Sequence, residues 1–372
     1  MKDRMVTRKQ FAAAIFTGLL SPLMRVLPRS SVLLAGKAAW LSVAPAFLAL
    51  LALMALMNAL RRALLPGEGM ANLLLRVLGP WFGRLALLLY AAWFLFYAGF
   101  LLRSGAERLT ATVYQQSAVT PFIVVMLALC LLAALGTLRA TVRTAVLLRA
   151  ILLMALGVVS VFSLSNLEPG NLFPLTLSDG PGIVLGALPI LTVGGVAALF
   201  SFLNAYVEPA AQPVRWTVPP LALFALVALL LCFEAVGTFG AALTARLSYP
   251  FFTMIRDVSI FHIAQRIEAV VIALWVYADF ILCALLLRCA GEALRTLLGL
   301  PKPEGLPLFS LRRGRWLFWL EGALAYAAAR LIAPSAAELV IWTETRVPFL
   351  MNCFVFGGFS LVWLVGRMRK KL

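Results

Sequence analysis

The sequence predicts an all-α integral membrane protein of about ten transmembrane helices. Three observations carry this reading. Of its 372 residues 63% are hydrophobic and only 13% charged, with a mean hydropathy of +0.99, whereas a soluble domain is near half apolar and about a quarter charged. The apolar residues come in long unbroken runs rather than in alternation, which selects helices over a closed barrel, the other structure that pairs every backbone group in lipid. Lys and Arg are also divided unequally between alternate connecting segments.

The runs lie at residues 9–27, 38–60, 84–102, 119–136, 145–164, 182–206, 218–241, 267–287, 316–332 and 347–366, most of them near the ~20 residues that cross ~30 Å of hydrocarbon. The first is interrupted by Ser21-Pro22, with Arg25 one turn later, and the sixth carries Gly194-Gly195 at its centre. With the N-terminus inside and ten alternating spans, 22 of the 32 Lys and Arg fall in inside segments and 10 outside, while Glu168 and Asp179 share an outside loop without a basic residue. The positive-inside rule then places both termini in the cytoplasm. A net charge of +17 needs no nucleic acid, because basic loops against an anionic leaflet explain it. Met1 to Gln10 and the run after it have the outline of a signal peptide. No small-x-small cleavage pattern follows, so the run reads as a retained first span.

Residues 1–372 read as a single transmembrane domain. The polar stretch 165–181 is an extended linker at its midpoint and divides the spans five and five, with a first repeat at about 6–165 and a second at about 180–366. Both halves begin with an interrupted helix, and paired interruptions point to an inverted-repeat transporter architecture with a ligand site at the membrane midplane. Residues 242–266 contain a short helix on the membrane surface, and 288–315 form a Pro-rich inside loop.

Enzyme signatures are missing. His262 is the one histidine, and Cys130, Cys232, Cys283, Cys289 and Cys353 form no CxxC pair, which argues against a metal site and a disulfide framework. No nucleotide loop or nucleophile elbow appears, so neither a cofactor nor a catalytic residue is expected. The candidate ligand-binding residues follow from the interruptions and from polar groups inside spans. Pro22 removes a backbone donor, and backbone groups freed at that depth must line a cavity or pack in protein. A small zwitterion fits them, its carboxylate at helix N-termini and its ammonium at carbonyls; a packed kink fits too. This selects Gly18, Ser21 and Pro22 in the first span, and Thr192, Gly194 and Gly195 in the sixth, where close helix packing by small residues is the other reading. Asp279, in the middle of the eighth span, is a candidate by its charge, and Trp275 four residues earlier shares its face. Tyr97 shares a face of the third span with Tyr90. Glu234 and Glu321 are further acids in spans, Glu321 within reach of Arg313 or Arg315.

Several segments together resemble one family. They are Ser248-Tyr249-Pro250, Arg256, Gln265-Arg266 with Glu268, and Leu274-Trp275. To these add Thr7-Arg8-Lys9-Gln10-Phe11, Leu27-Pro28, Ala35 to Trp40, Thr120-Pro121 and Asn171 to Pro174. Their order and spacing over residues 6–290 resemble spore germination proteins of the permease type, the B subunits of germinant receptors, in the amino acid/polyamine/organocation superfamily. The resemblance implies a LeuT-like five-plus-five inverted repeat with broken helices 1 and 6. It implies a site for a small-molecule germinant between helices 1, 6, 3 and 8. It also implies the inner spore membrane, with a larger membrane A subunit and a lipoprotein C subunit as partners. The family's usual glycines at the first break are Ser21 and Leu23 here, and the acid often found before the second-span Trp is Ala38. An ordinary secondary amino-acid transporter of the same fold is the alternative.

Overall fold

The computed structural model describes all residues except 1–4, 66, 209–212, 258–263, 301–314 and 372, and it leaves out the side chains at 213–216, 256–257, 264–270 and 315. His262 and most of the 288–315 loop therefore lie outside the described residues, as do the side chains of Arg256, Gln265, Arg266, Glu268, Arg313 and Arg315.

Ten helical rods, joined by short helices, make up the described chain. The first is α1 (Arg8–Ala35), begun where the Thr7 hydroxyl accepts from the Gln10 amide at 3.3 Å, an N-cap that satisfies an otherwise orphaned donor. It ends at Gly36, whose φ of +55° is open to glycine at little cost. A tight 3₁₀ stretch, Gly36–Ser42, turns the chain into α2 (Val43–Arg62). From Arg8 to Arg62 is 55 residues, about 80 Å at the helical rise of 1.5 Å, so this segment supplies two spans. The short α3 (Met70–Leu78) lies across the bundle end where the chain enters, here the proximal end, and buries Leu73, Leu74 and Val77. Gly79 and Pro80 then start α4 (Pro80–Thr112), with proline at the first turn, where its missing amide costs nothing.

α5 (Val119–Leu135) and α6 (Leu138–Ser163) complete the first five. The linker holds a single turn, α7 (Pro169–Leu172). α8 (Gly180–Leu199) passes into a 3₁₀ segment at Phe200–Tyr206. α9 (Pro213–Arg246) kinks at Gly240, where φ is +71°. α10 (Pro250–Asp257) is the short helix expected between 242 and 266. α11 (Ala264–Leu297) and α12 (Arg315–Leu331) follow. The last rod is α13 (Ala336–Ile341), α14 (Val347–Asn352) and α15 (Phe359–Met368), joined by widened π-type turns at Trp342–Arg346 and Cys353–Gly358.

The rods agree with the ten expected runs in order but are longer at most ends. This corrects the placement of several charges. Arg25, Arg103 and Arg108, read as outside-loop residues, are buried within α1 and α4, and Arg288 and Arg295, read as inside, are buried within α11. Arg288 donates to the Ala133 and Gly136 carbonyls where α5 ends, at 2.5 and 3.1 Å. Charges that end a hydropathy window therefore need not end a helix when the bundle itself supplies partners.

The form of the two interruptions also differs from expectation. α1 runs through Ser21-Pro22 without unwinding, with Pro22 and Pro28 inside it. What Pro22 removes is an amide donor to the Gly18 carbonyl one turn back. In α8 the Gly194-Gly195 pair stays helical, and the change of winding comes at Phe200. The described residues nearest each terminus lie at the proximal end. The Val6 amide donates to the Tyr206 carbonyl and the Glu208 amide to the Val6 carbonyl, both at 3.0 Å. Arg369 donates to the Val77 carbonyl at 3.0 Å and Lys371 to the Arg76 carbonyl at 2.6 Å.

Candidate functional site

The middles of α1 and α11 meet around Asp279. The Ser21 hydroxyl donates to Asp279 Oδ1. Arg108, from α4, donates through Nη2 to Oδ2 at 2.6 Å. The Arg108 guanidinium lies 4.1 Å from the centre of the Trp275 ring, and Trp275 Nε1 donates to the Ser21 carbonyl at 3.1 Å. Tyr249 meets the Trp275 ring edge-on, with centroids 6.4 Å apart. Ser21, Arg108, Trp275 and Asp279 are all buried, none more than 4% exposed.

Each local feature has a sequence cause. Trp275 and Asp279 are four apart on α11 and so share a face. Gly105 on α4 leaves room for the carboxylate: a Cβ there would sit 3.2 Å from Asp279 Oδ2. Gly18, one turn before Ser21, would bring a Cβ to 3.2 Å from Leu282, so α1 and α11 cross closely beside the cluster. A carboxylate in such a place is stable only when paired and hydrogen-bonded, and here both oxygens are engaged.

Distal to this cluster, at the end of the bundle where α1 stops, is a cavity of about 320 Å³, within the size range of small-ligand sites. Its walls include Arg25, Arg29, Ser104, Glu107, Tyr249, Thr343 and Glu344. Ala111, Ser248 and Ala336 at its rim are exposed. Arg29 faces Glu344 at 3.8 Å, Ser30 donates to Glu344, and Glu107 pairs with Arg103. Arg25 stacks over the Phe100 ring at 5.3 Å. Phe100 in turn stacks on Tyr97 at 6.0 Å, and Tyr97 is within electrostatic reach of Arg25 and Asp279.

Of the residues selected from sequence, the structure brings Ser21, Trp275 and Asp279 into contact, with Gly18 and Pro22 on the same helix turn and Tyr97 close by. Thr192, Gly194 and Gly195 sit elsewhere. Thr192 accepts from Asn352 Nδ2 at 3.1 Å. Gly194 packs on Leu50 and Phe224, and Gly195 on Val355. Gly194 also borders a second, largely apolar cavity of about 150 Å³ nearer the proximal end, with Phe16, Met57 and Arg61 among its walls. Tyr90 donates to the Phe354 carbonyl at 2.9 Å and so ties α4 to the last rod. Glu234 is buried beside Ser160, and Glu321 is buried in α12 with no hydrogen-bond partner among the described residues. Neither joins the Asp279 cluster. No group of three or more metal-ligating side chains occurs among the described residues.

Sequence reasoning missed Arg108, Arg25 and Ser104 as members of the site. The available signal was the run Arg103, Glu107 and Arg108, whose spacing of four between Arg103 and Glu107 is that of one helix face. It was masked by its position at the margin of an apolar run.

The bundle and its buried centre define a membrane protein of permease type with a LeuT-like fold. The structure matches a solved structure of MhsT in complex with L-phenylalanine with a TM-score of 0.59, covering 97% of this chain and 99% of that one at 17% identity. The family model for spore germination protein matches residues 5–313, and the chain belongs to that family. No curated protein sequence matches the chain.

Proposed function

We propose that the chain is the membrane subunit of a spore germinant receptor. In this reading it binds a small nutrient, an amino acid or similar, in a permease-like site and signals germination. The observation that carries it is the spore germination match over residues 5–313. The buried cluster of Ser21, Arg108, Trp275 and Asp279 below an accessible polar cavity gives such a ligand a place to act. The receptor would sit in the inner spore membrane with both termini in the cytoplasm, assembled with a larger membrane A subunit and a lipoprotein C subunit. Residues 6–165 and 180–366 would be its two repeats. Spores deleted for this gene, in a strain lacking its other receptors, should lose germination with the cognate nutrient and regain it on complementation. Unchanged germination with every nutrient would overturn the reading.

A carrier of the same fold is the second reading, favoured by a structural match that covers nearly all of both chains. Gradient-driven uptake of a labelled nutrient by the purified protein in liposomes would establish it.

A further inference from the structure

We propose that the distal cavity is a binding site for a small monoanion, a carboxylate, with Arg25 as its anchor and Ser104 as a second donor. The inference rests on the reading that the chain binds a small nutrient, and it names the chemical class of that nutrient.

The first argument is the charge balance. Among the described side chains, four guanidiniums, those of Arg25, Arg29, Arg103 and Arg108, stand in and around the cavity and the cluster beneath it. Three described carboxylates answer them. Glu344 faces Arg29, Glu107 pairs with Arg103, and Asp279 pairs with Arg108. Arg25 has no ion pair or hydrogen bond to any described residue. It is only 7% exposed, and its Nε is buried without a partner. Asp279 and Glu344 are within electrostatic reach of it, but each is in contact with another guanidinium. A buried charge without a contact partner of its own is costly, and the face of Phe100 offsets only part of that cost. One negative charge in the cavity completes the set.

The second argument is independent of charge. The Ser104 hydroxyl, on the facing helix α4, is also buried without a hydrogen-bond partner and lines the same cavity. A guanidinium and a hydroxyl that line one cavity from two helices suit a carboxylate, whose two oxygens accept from both. A ligand ammonium finds a poorer site. Asp279 already accepts at both oxygens, from Ser21 and Arg108, and the cavity's two carboxylates already face guanidiniums of their own. A zwitterion would leave the excess positive charge in place, and an amine would add to it.

The test uses matched triplets of a small amino acid, its deaminated acid and its decarboxylated amine: alanine with propionate and ethylamine, leucine with 4-methylpentanoate and 3-methylbutylamine. Binding to the purified full-length protein is read from thermal stabilisation. The expected order is acid, then amino acid, then amine, with acid and amine separated by at least tenfold in half-saturating concentration. Arg25→Gln should abolish the response to acids, Arg25→Lys should keep part of it, and Ser104→Ala should weaken it several-fold. If Arg25→Gln does not fold, the Lys and Ser104 variants still decide. Acids without effect on the wild type, or acids binding Arg25→Lys and Ser104→Ala as they bind the wild type, would overturn the proposal. Amines or zwitterions binding where acids do not would overturn the ligand class and leave the nutrient-binding reading standing. Acids that bind as expected in a protein whose deletion leaves germination unchanged would do the reverse.

Discussion

At the scale of single residues, the centre of the molecule is governed by Asp279 and its two partners. A buried ion pair adds little net stability over an apolar pair of the same shape, yet removing one member leaves the other charge without compensation and costs about 3–5 kcal/mol. Arg108→Met and Asp279→Asn should therefore each destabilise the protein by that order, while the double variant recovers most of the loss. Equilibrium unfolding in detergent micelles, arranged as a double-mutant cycle, measures this, and a double variant no more stable than Arg108→Met would show that the pair does not act as a unit. The pair also marks what was legible in the sequence. Trp275 and Asp279 are four apart, so their common face was readable from helical periodicity. Arg108 lies 171 residues from Asp279, and no local pattern reports a partner at that distance. Arg25 was visible as a charge one turn past Ser21-Pro22, but its burial depends on α4 packing beside it, so it read as a loop residue.

At the scale of elements, helix existence followed from the length of the apolar runs, and helix ends did not, because the bundle tolerates charges that a lipid-facing helix would reject. The glycines of α8 show the same limit. Gly-Gly in a span suits an unwound ligand site and close packing equally well on sequence grounds. In the structure a Cβ at Gly194 would lie 2.6 Å from Leu50 Cδ1 and 3.1 Å from Phe224 Cε1, whereas one at Gly195 would meet Val355 at 3.3 Å. Gly194→Leu should therefore act through folding, as overpacking that costs about 1–3 kcal/mol or more. Gly195→Ala should cost less than about 1 kcal/mol, by the same packing argument. The fraction of each variant that elutes as a single species in size exclusion reports the difference. A fully folded Gly194→Leu that had lost only its ligand response would place Gly194 in the binding site after all.

At the scale of the whole molecule, the two ends of the bundle differ. The distal end holds the polar cavity, while the proximal end is fastened. The Tyr206 hydroxyl donates to Glu292 Oε2 at 2.9 Å and accepts from Arg295 Nη2 at 2.9 Å, and Arg295 also pairs with Glu292. Val6 clamps the chain on both sides of Val207. This latch ties the 3₁₀ segment that follows α8 to α11, and Glu292 at its centre is wholly buried. Arg295→Ala would take a guanidinium away from that buried carboxylate and loosen the hold of the 3₁₀ segment on α11 at the proximal end. Cys289 is placed to report it, since it lies three residues from Glu292 on α11, is wholly buried, and has its thiol 3.9 Å from the Leu199 carbonyl. In a background where Cys130, Cys232, Cys283 and Cys353 are replaced by alanine, Arg295→Ala should raise the rate at which Cys289 reacts with a water-soluble maleimide about tenfold. That factor corresponds to a shift of about 1.4 kcal/mol in the local opening equilibrium. Tyr206→Phe, which removes one hydroxyl and keeps the ion pair, should raise it less. An unchanged rate in Arg295→Ala would mean that the proximal end is held shut by packing of the helices alone and that the Tyr206, Glu292 and Arg295 contacts are not its latch.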